Sequence, residues 1–218
     1  MPPNNSISWR RCGIEAQGQP TAPGGQLRRP LSRGRAVKRH VHVPRSLDLP
    51  APLDLQSSLL AAWRTNHRVT ARLIEALPAG LWDLRVPGAQ RTIRAIAAHV
   101  HNARCMWVKT LGREHGVTIP ARVDHRRATP RQVVAALERS SAGIEALLEL
   151  GVASGGELPP SKGYVWRNLS LDVGHVLTYF VAHEGHHRGQ IVMVARQTGH
   201  RLPEATTAAL WQWKVDRR

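Results

Sequence analysis

From Asp54 onward the chain carries apolar residues at helical spacing, broken by short polar loops. Asp54 is a natural N-cap for LQSSLLAAWRTNHRVTARLIEAL, where Leu55, Leu59, Trp63, Val69, Leu73 and Leu77 form one stripe that Pro78 ends. The loop PAGLWDLRVPGAQR follows. Thr92 then caps TIRAIAAHVHNARCMWVKTL, with Ile93, Ile96, Val100 and Trp107 near helical repeat and Gly112 as the terminating residue. A polar, basic loop spans 113–128. Thr129-Pro130-Arg131-Gln132 reads as a capping box with proline at the first helical position, opening a helix that Gly151 stops. After a loop holding Gly-Gly and Pro-Pro, Ser170 is placed to cap a last long helix, LDVGHVLTYFVAHEGHHRGQIVMVARQT, ending at Gly199. No stretch alternates like a strand. Four long helices without an internal repeat predict an all-α protein, a four-helix bundle over residues 53–218.

Residues 1–52 break the pattern. They are rich in Gly, Pro, Gln and Arg and show no period of 3.6 or 2, so they predict a disordered basic arm. A start-site extension is the equal alternative, although the next methionine after Met1 is Met106. An amphipathic transit helix does not suit that much Pro and Gly.

Composition narrows the classes. The 218 residues hold 31 Lys+Arg against 15 Asp+Glu, a formal charge of +16 that first suggests nucleic acid as a partner. The excess is spread out: residues 1–54 carry nine cations and three acids (+6), leaving 22 and 12 (+10) for the rest. That spread weakens the nucleic-acid reading, which stays as the alternative function. There is no uncharged apolar run of about 18 residues, so no spanning helix and no membrane partner are expected. Two cysteines, Cys12 and Cys105, make neither a disulfide framework nor a four-Cys zinc site, which fits a reduced, cytoplasmic protein.

Ten of the twelve histidines lie after residue 54, and position singles out His99, His183, His186 and His187. At about 100° per residue, His187 stands about 40° from His183 and Gln190 about 20° to the other side, so these three share one face. His186 stands off that face. Two imidazoles at i and i+4 can reach one divalent ion, and His99, on the second helix, is the best third ligand. His101 points some 200° from His99, and Cys105 reads as a small packed residue. His175, two turns before His183, is a weak outer candidate. His40, His42, His67, His115, His125 and His200 are assigned to surface or loop.

His183-Glu184-Gly185-His186-His187 also matches H-E-x-x-H, in which Glu184 would be the general base of a zinc protease. Gln190 stands where the elongated form of that motif needs glycine. A downstream glutamate ligand would have to be Glu204, and no strand-rich substrate platform is in sight.

YFVAHEGHHRGQIVMVARQTGHRLP, with AIAAHVHNARCMW upstream and LWQW near the end, resembles the DinB-like (DinB/YfiT-like) family over about residues 54–216. The resemblance implies a four-helix bundle with a long crossover connection. It also implies a divalent ion, zinc or nickel, on His99, His183 and His187. Asn66 and Trp82 look like family positions, and Arg188 suggests an ion pair or an anion contact. Some relatives are thiol-dependent transferases or isomerases that use bacterial low-molecular-weight thiols. The expectation is therefore a metal-dependent enzyme that transfers a thiol to, or hydrolyses, a small electrophile. A small-molecule substrate and a low-molecular-weight thiol would be its partners, Gln190 would orient the ligand or substrate, and a homodimer is a further expectation.

Overall fold

The computed structural model describes residues 54–165 and 167–214. The arm expected over 1–52, with His40 and His42, lies outside them. Four long helices dominate: α1 (Leu55–Glu75), α2 (Ile93–Gly112), α3 (Pro130–Ala153) and α4 (Val173–Gln197), followed by a short α5 (Glu204–Ala209) that the sequence pattern did not suggest. Among the described residues there is no strand, only the isolated bridges Arg85↔Thr92 and Glu157↔Asp172. No described helix is long and apolar enough to cross a membrane.

The caps explain where the helices begin. Asp54 accepts from the Ser57 N–H, Thr92 from Ala95, and Thr129 and Gln132 close a full capping box. The last helix is capped by Asp172, not Ser170: its carboxylate accepts from the His175 N–H at 3.0 Å, and Ser170 only supports it through the Asp172 N–H. Two expected glycine stops also fall inside helices. Gly112 lets the crossover turn close to α2, since a Cβ there would come 2.7 Å from the Val117 Cβ, and the left-handed terminator is Gly116. Gly151 lies within α3, where its lack of a Cβ makes room for Val173.

Two apolar clusters fill the bundle. One joins Leu73 and Ile74 of α1, Ile93 and Ile96 of α2, Val133 and Leu137 of α3, and Ile191 and Val194 of α4. The other joins Leu60 and Trp63 of α1, Val108 and Leu111 of α2, Ile144 and Leu148 of α3, and Val176 and Phe180 of α4. Thus α1 and α4 run one way and α2 and α3 the other. Because α2 ends where α3 does not begin, residues 113–129 must travel the bundle's length, the long crossover that the resemblance implied. That crossover is strapped to α2. His101, fully buried, meets the Ala121 carbonyl at 2.9 Å, and Asn102 exchanges two hydrogen bonds with the Val123 backbone.

Between the clusters lies a layer of buried polar side chains: Asn66, His67 and Thr70 on α1, His101 and Arg104 on α2, Ser140 on α3, and Glu184 and Arg188 on α4. Each buried aliphatic or aromatic side chain on either side contributes about 1.5–3 kcal/mol. Desolvating an ion costs several kcal/mol, so a charged layer persists only if its hydrogen bonds are complete.

Candidate metal centre

His183 and His187 project from one face of α4, and His99 projects toward them from α2. One ring nitrogen from each of the three lies within 4.8 Å of the other two. The His99 ring centroid is 4.7 Å from that of His187 and 5.4 Å from that of His183. The His183 and His187 Nε2 atoms are 3.1 Å apart. Two nitrogens on one tetrahedral zinc would sit about 3.3 Å apart, so this spacing suits a shared ion. The Gln190 Oε1 is 2.8 Å from the His187 Nδ1. With that oxygen accepting, Nδ1 carries the hydrogen and the Nε2 lone pair is left to face the cluster.

The electrostatics keep the imidazoles neutral. Burial, followed by the charge of Arg91 and the neighbouring histidine, pushes His99 down to about 4. Burial also pushes His187 down to about 3, against the raising hydrogen bond to Gln190. His183 moves the same way, burial outweighing the negative charge of Glu184. Neutral imidazole is the form that binds a metal, so these residues fit a divalent ion. One turn before His183, Tyr179 lies nearly parallel to its ring, 5.9 Å away and tilted by 14°, and Trp107 meets Tyr179 edge-on at 5.3 Å. An aromatic wall therefore flanks one side of the cluster.

Other expectations change. Glu184 is not a protease base. Its carboxylate is only 1% exposed and makes a two-point pair with Arg104, Nε to Oε1 at 2.6 Å and Nη2 to Oε2 at 2.8 Å. Asn66 Nδ2 and Thr70 Oγ1 each donate to Oε2 at 2.9 Å. Burial alone would raise its pKa, but the charge and hydrogen bonds of Arg104 hold it below the ordinary carboxylate value. A carboxylate buried in an ion pair with Arg104 and bonded to α1 serves as a structural anion. Arg188 completes the arrangement, donating to Asn66 Oδ1 at 2.8 Å and Thr70 Oγ1 at 2.7 Å, which decides for a structural role.

His67 is buried rather than superficial, set between Arg104 (3.2 Å) and Glu138 (3.1 Å), because α3 packs over that side of α1. His175 is exposed and pairs with Asp172, away from the cluster. His186 is exposed as well. Trp82 is buried and donates to the Ala128 carbonyl. Cys105 is buried, and burial pushes its thiol up to about 11, so it is no nucleophile.

Arg104 and Thr70 were missed from the sequence, yet a signal existed. Asn66 and Thr70 continue the stripe of Trp63 and Leu73, Arg104 stands between Val100 and Trp107, and Glu184 between Phe180 and Ile191. Polar residues on apolar stripes of three helices announce a buried polar layer.

A model of the DinB family matches residues 51–217. The chain belongs to the DinB family. No curated protein matches it significantly. The helical bundle and the three-histidine cluster are compatible with a metal-binding DinB-like protein.

Proposed function

We propose that this DinB protein is a divalent-metal-dependent enzyme acting on a small electrophile, by thiol transfer or by hydrolysis. The convergence of three neutral imidazoles, with His187 Nδ1 held by Gln190 and its Nε2 turned to His183, carries the reading. Zinc or nickel bound there would supply Lewis acidity, lowering the pKa of a thiol or water. The chain's own residues do the rest. Gln190 fixes the His187 tautomer. Tyr179 and Trp107 form an apolar wall against which a small substrate can lie. Arg91, half-buried and in no ion pair among the described residues, acts electrostatically on all three imidazoles. It suits an anionic group on the substrate or thiol. Among the described residues the one cysteine, Cys105, is buried and inert, and in this reading a low-molecular-weight thiol of a reducing cytoplasm supplies the sulfur.

Elemental analysis of protein purified without a histidine tag, wild type and His99→Ala, tests the reading. A stoichiometric divalent metal in the wild type and its loss in the variant are expected. Equal, tightly held metal in both would remove the three-histidine site. A low-molecular-weight thiol transfer screen on the loaded protein then separates transfer from hydrolysis.

A further inference from the structure

Helix α4 carries two pairs at the same i, i+4 spacing, one residue out of step: His183 and His187 face the cluster, while Glu184 and Arg188 face the core. We propose that Glu184 and Arg104 are positioning residues, their buried pair setting the register of α4 against α2 at which His99 meets His183 and His187. The proposal rests on the metal-site reading above.

The geometry supports it in three ways. Arg104 and His99 share α2, as Glu184 and His183 share α4, so the pair ties together the two helices that hold the ligands. The contact is a fork on a fork, which fixes direction as well as distance. Oε2 also accepts from Asn66 and Thr70, and Arg188 grips those same two residues, so α1 holds the helix as a third support. A slip of one residue moves a helix side chain by about 1.5 Å along the axis and about 100° around it. Apolar contacts at Phe180 or Ile191 would tolerate part of such a movement, but this hydrogen-bond set would not. Buried ion pairs add little net stability over well-packed apolar residues, while setting register is their best-attested use.

The test measures zinc affinity by competition with a chromophoric chelator, and the cobalt(II) d–d spectrum, on folded protein well below its melting range. Glu184→Gln and Arg104→Lys, which loses the fork but keeps the charge, should each weaken zinc binding about tenfold or more and alter the spectrum. Leu148→Ala, in the distant apolar cluster, should lower Tm yet leave both unchanged. Should neither charged-layer variant fold, Thr70→Val removes one anchor with the ion pair kept, and a smaller loss of affinity in the same direction is expected. Wild-type affinity and spectrum in the folded variants would overturn the proposal while leaving the metal site standing. A wild-type protein that binds no metal would instead sink the metal-site reading, and this inference with it.

Discussion

Residues 183 and 187 of α4 differ sharply from residues 184 and 188. The first pair consists of neutral rings, His183 half-buried and His187 buried, whose nitrogens meet, among the described residues, only Gln190 and each other. The second is charged, buried and saturated: one carboxylate accepts four hydrogen bonds, from Arg104 twice, Asn66 and Thr70. One helix therefore separates recognition from support by a single residue of phase. Polar groups that have spent their lone pairs within the protein hold it together. Those whose nitrogens converge on one another, as at His99, His183 and His187, suit a shared ligand. An H-E-x-x-H match cannot show this division, because it reads spacing and not partners.

The largest expected effect tests the supporting pair. Glu184→Gln leaves the Arg104 charge buried without its counter-ion, and removing one partner of such a pair costs about 3–5 kcal/mol. In the metal-free protein His183→Ala strands no charge and should cost about 1 kcal/mol. Urea unfolding of both variants measures the contrast. Equal losses would mean that the two faces are not energetically distinct.

Much of this was legible beforehand. The capping residues Asp54, Thr92 and Thr129 marked three helix starts, since a side chain closing onto free backbone N–H groups is a local event. Helical phase alone put His183, His187 and Gln190 on one face. What local rules missed depends on contacts made across the bundle. Ser170 yielded to Asp172 because the Glu157↔Asp172 bridge fixes where the chain enters α4. Gly112 and Gly151 resembled stops, but they are small because neighbouring segments press against them. The burial of Glu184 was not read from the sequence because the histidines, and not Phe180 and Ile191, served as the reference for the phase of α4. His67 was misplaced because α3, which covers it, is remote in sequence.

A smaller effect probes the ligand side. Among the described residues Arg91 has no ion-pair partner, so Arg91→Met should not weaken zinc binding, since it removes a cation from beside the imidazoles, and should lower the preference for an anionic ligand. The metal-loaded protein would be titrated with 3-mercaptopropionate and its methyl ester. About a tenfold fall in the ratio of the two affinities corresponds to one charge-assisted contact of roughly 1.4 kcal/mol. An unchanged ratio would mean that Arg91 merely lies nearby.

The smallest expected effect is a slope with pH, and its sign follows from the direction of the histidine shifts. An unfolded imidazole takes up its proton near 6.5, whereas folded His99 does so near 4 and folded His187 near 3. As pH falls below about 6.5 the unfolded chain binds protons that the folded chain refuses, so metal-free stability declines from there toward pH 4. Buried His67, His101 and His183 shift the same way and add to the decline. Glu184 has its pKa held low, so its contribution is lost only in the carboxylate range, further down the scale. The interval from pH 7 to 5 therefore belongs to the imidazoles. Thermal melts of chelator-treated protein across it should fall steeply for the wild type and less steeply for His99→Asn. Parallel slopes would show that the His99 imidazole is not held neutral by its surroundings, and the electrostatic difference between the two faces of α4 would narrow accordingly.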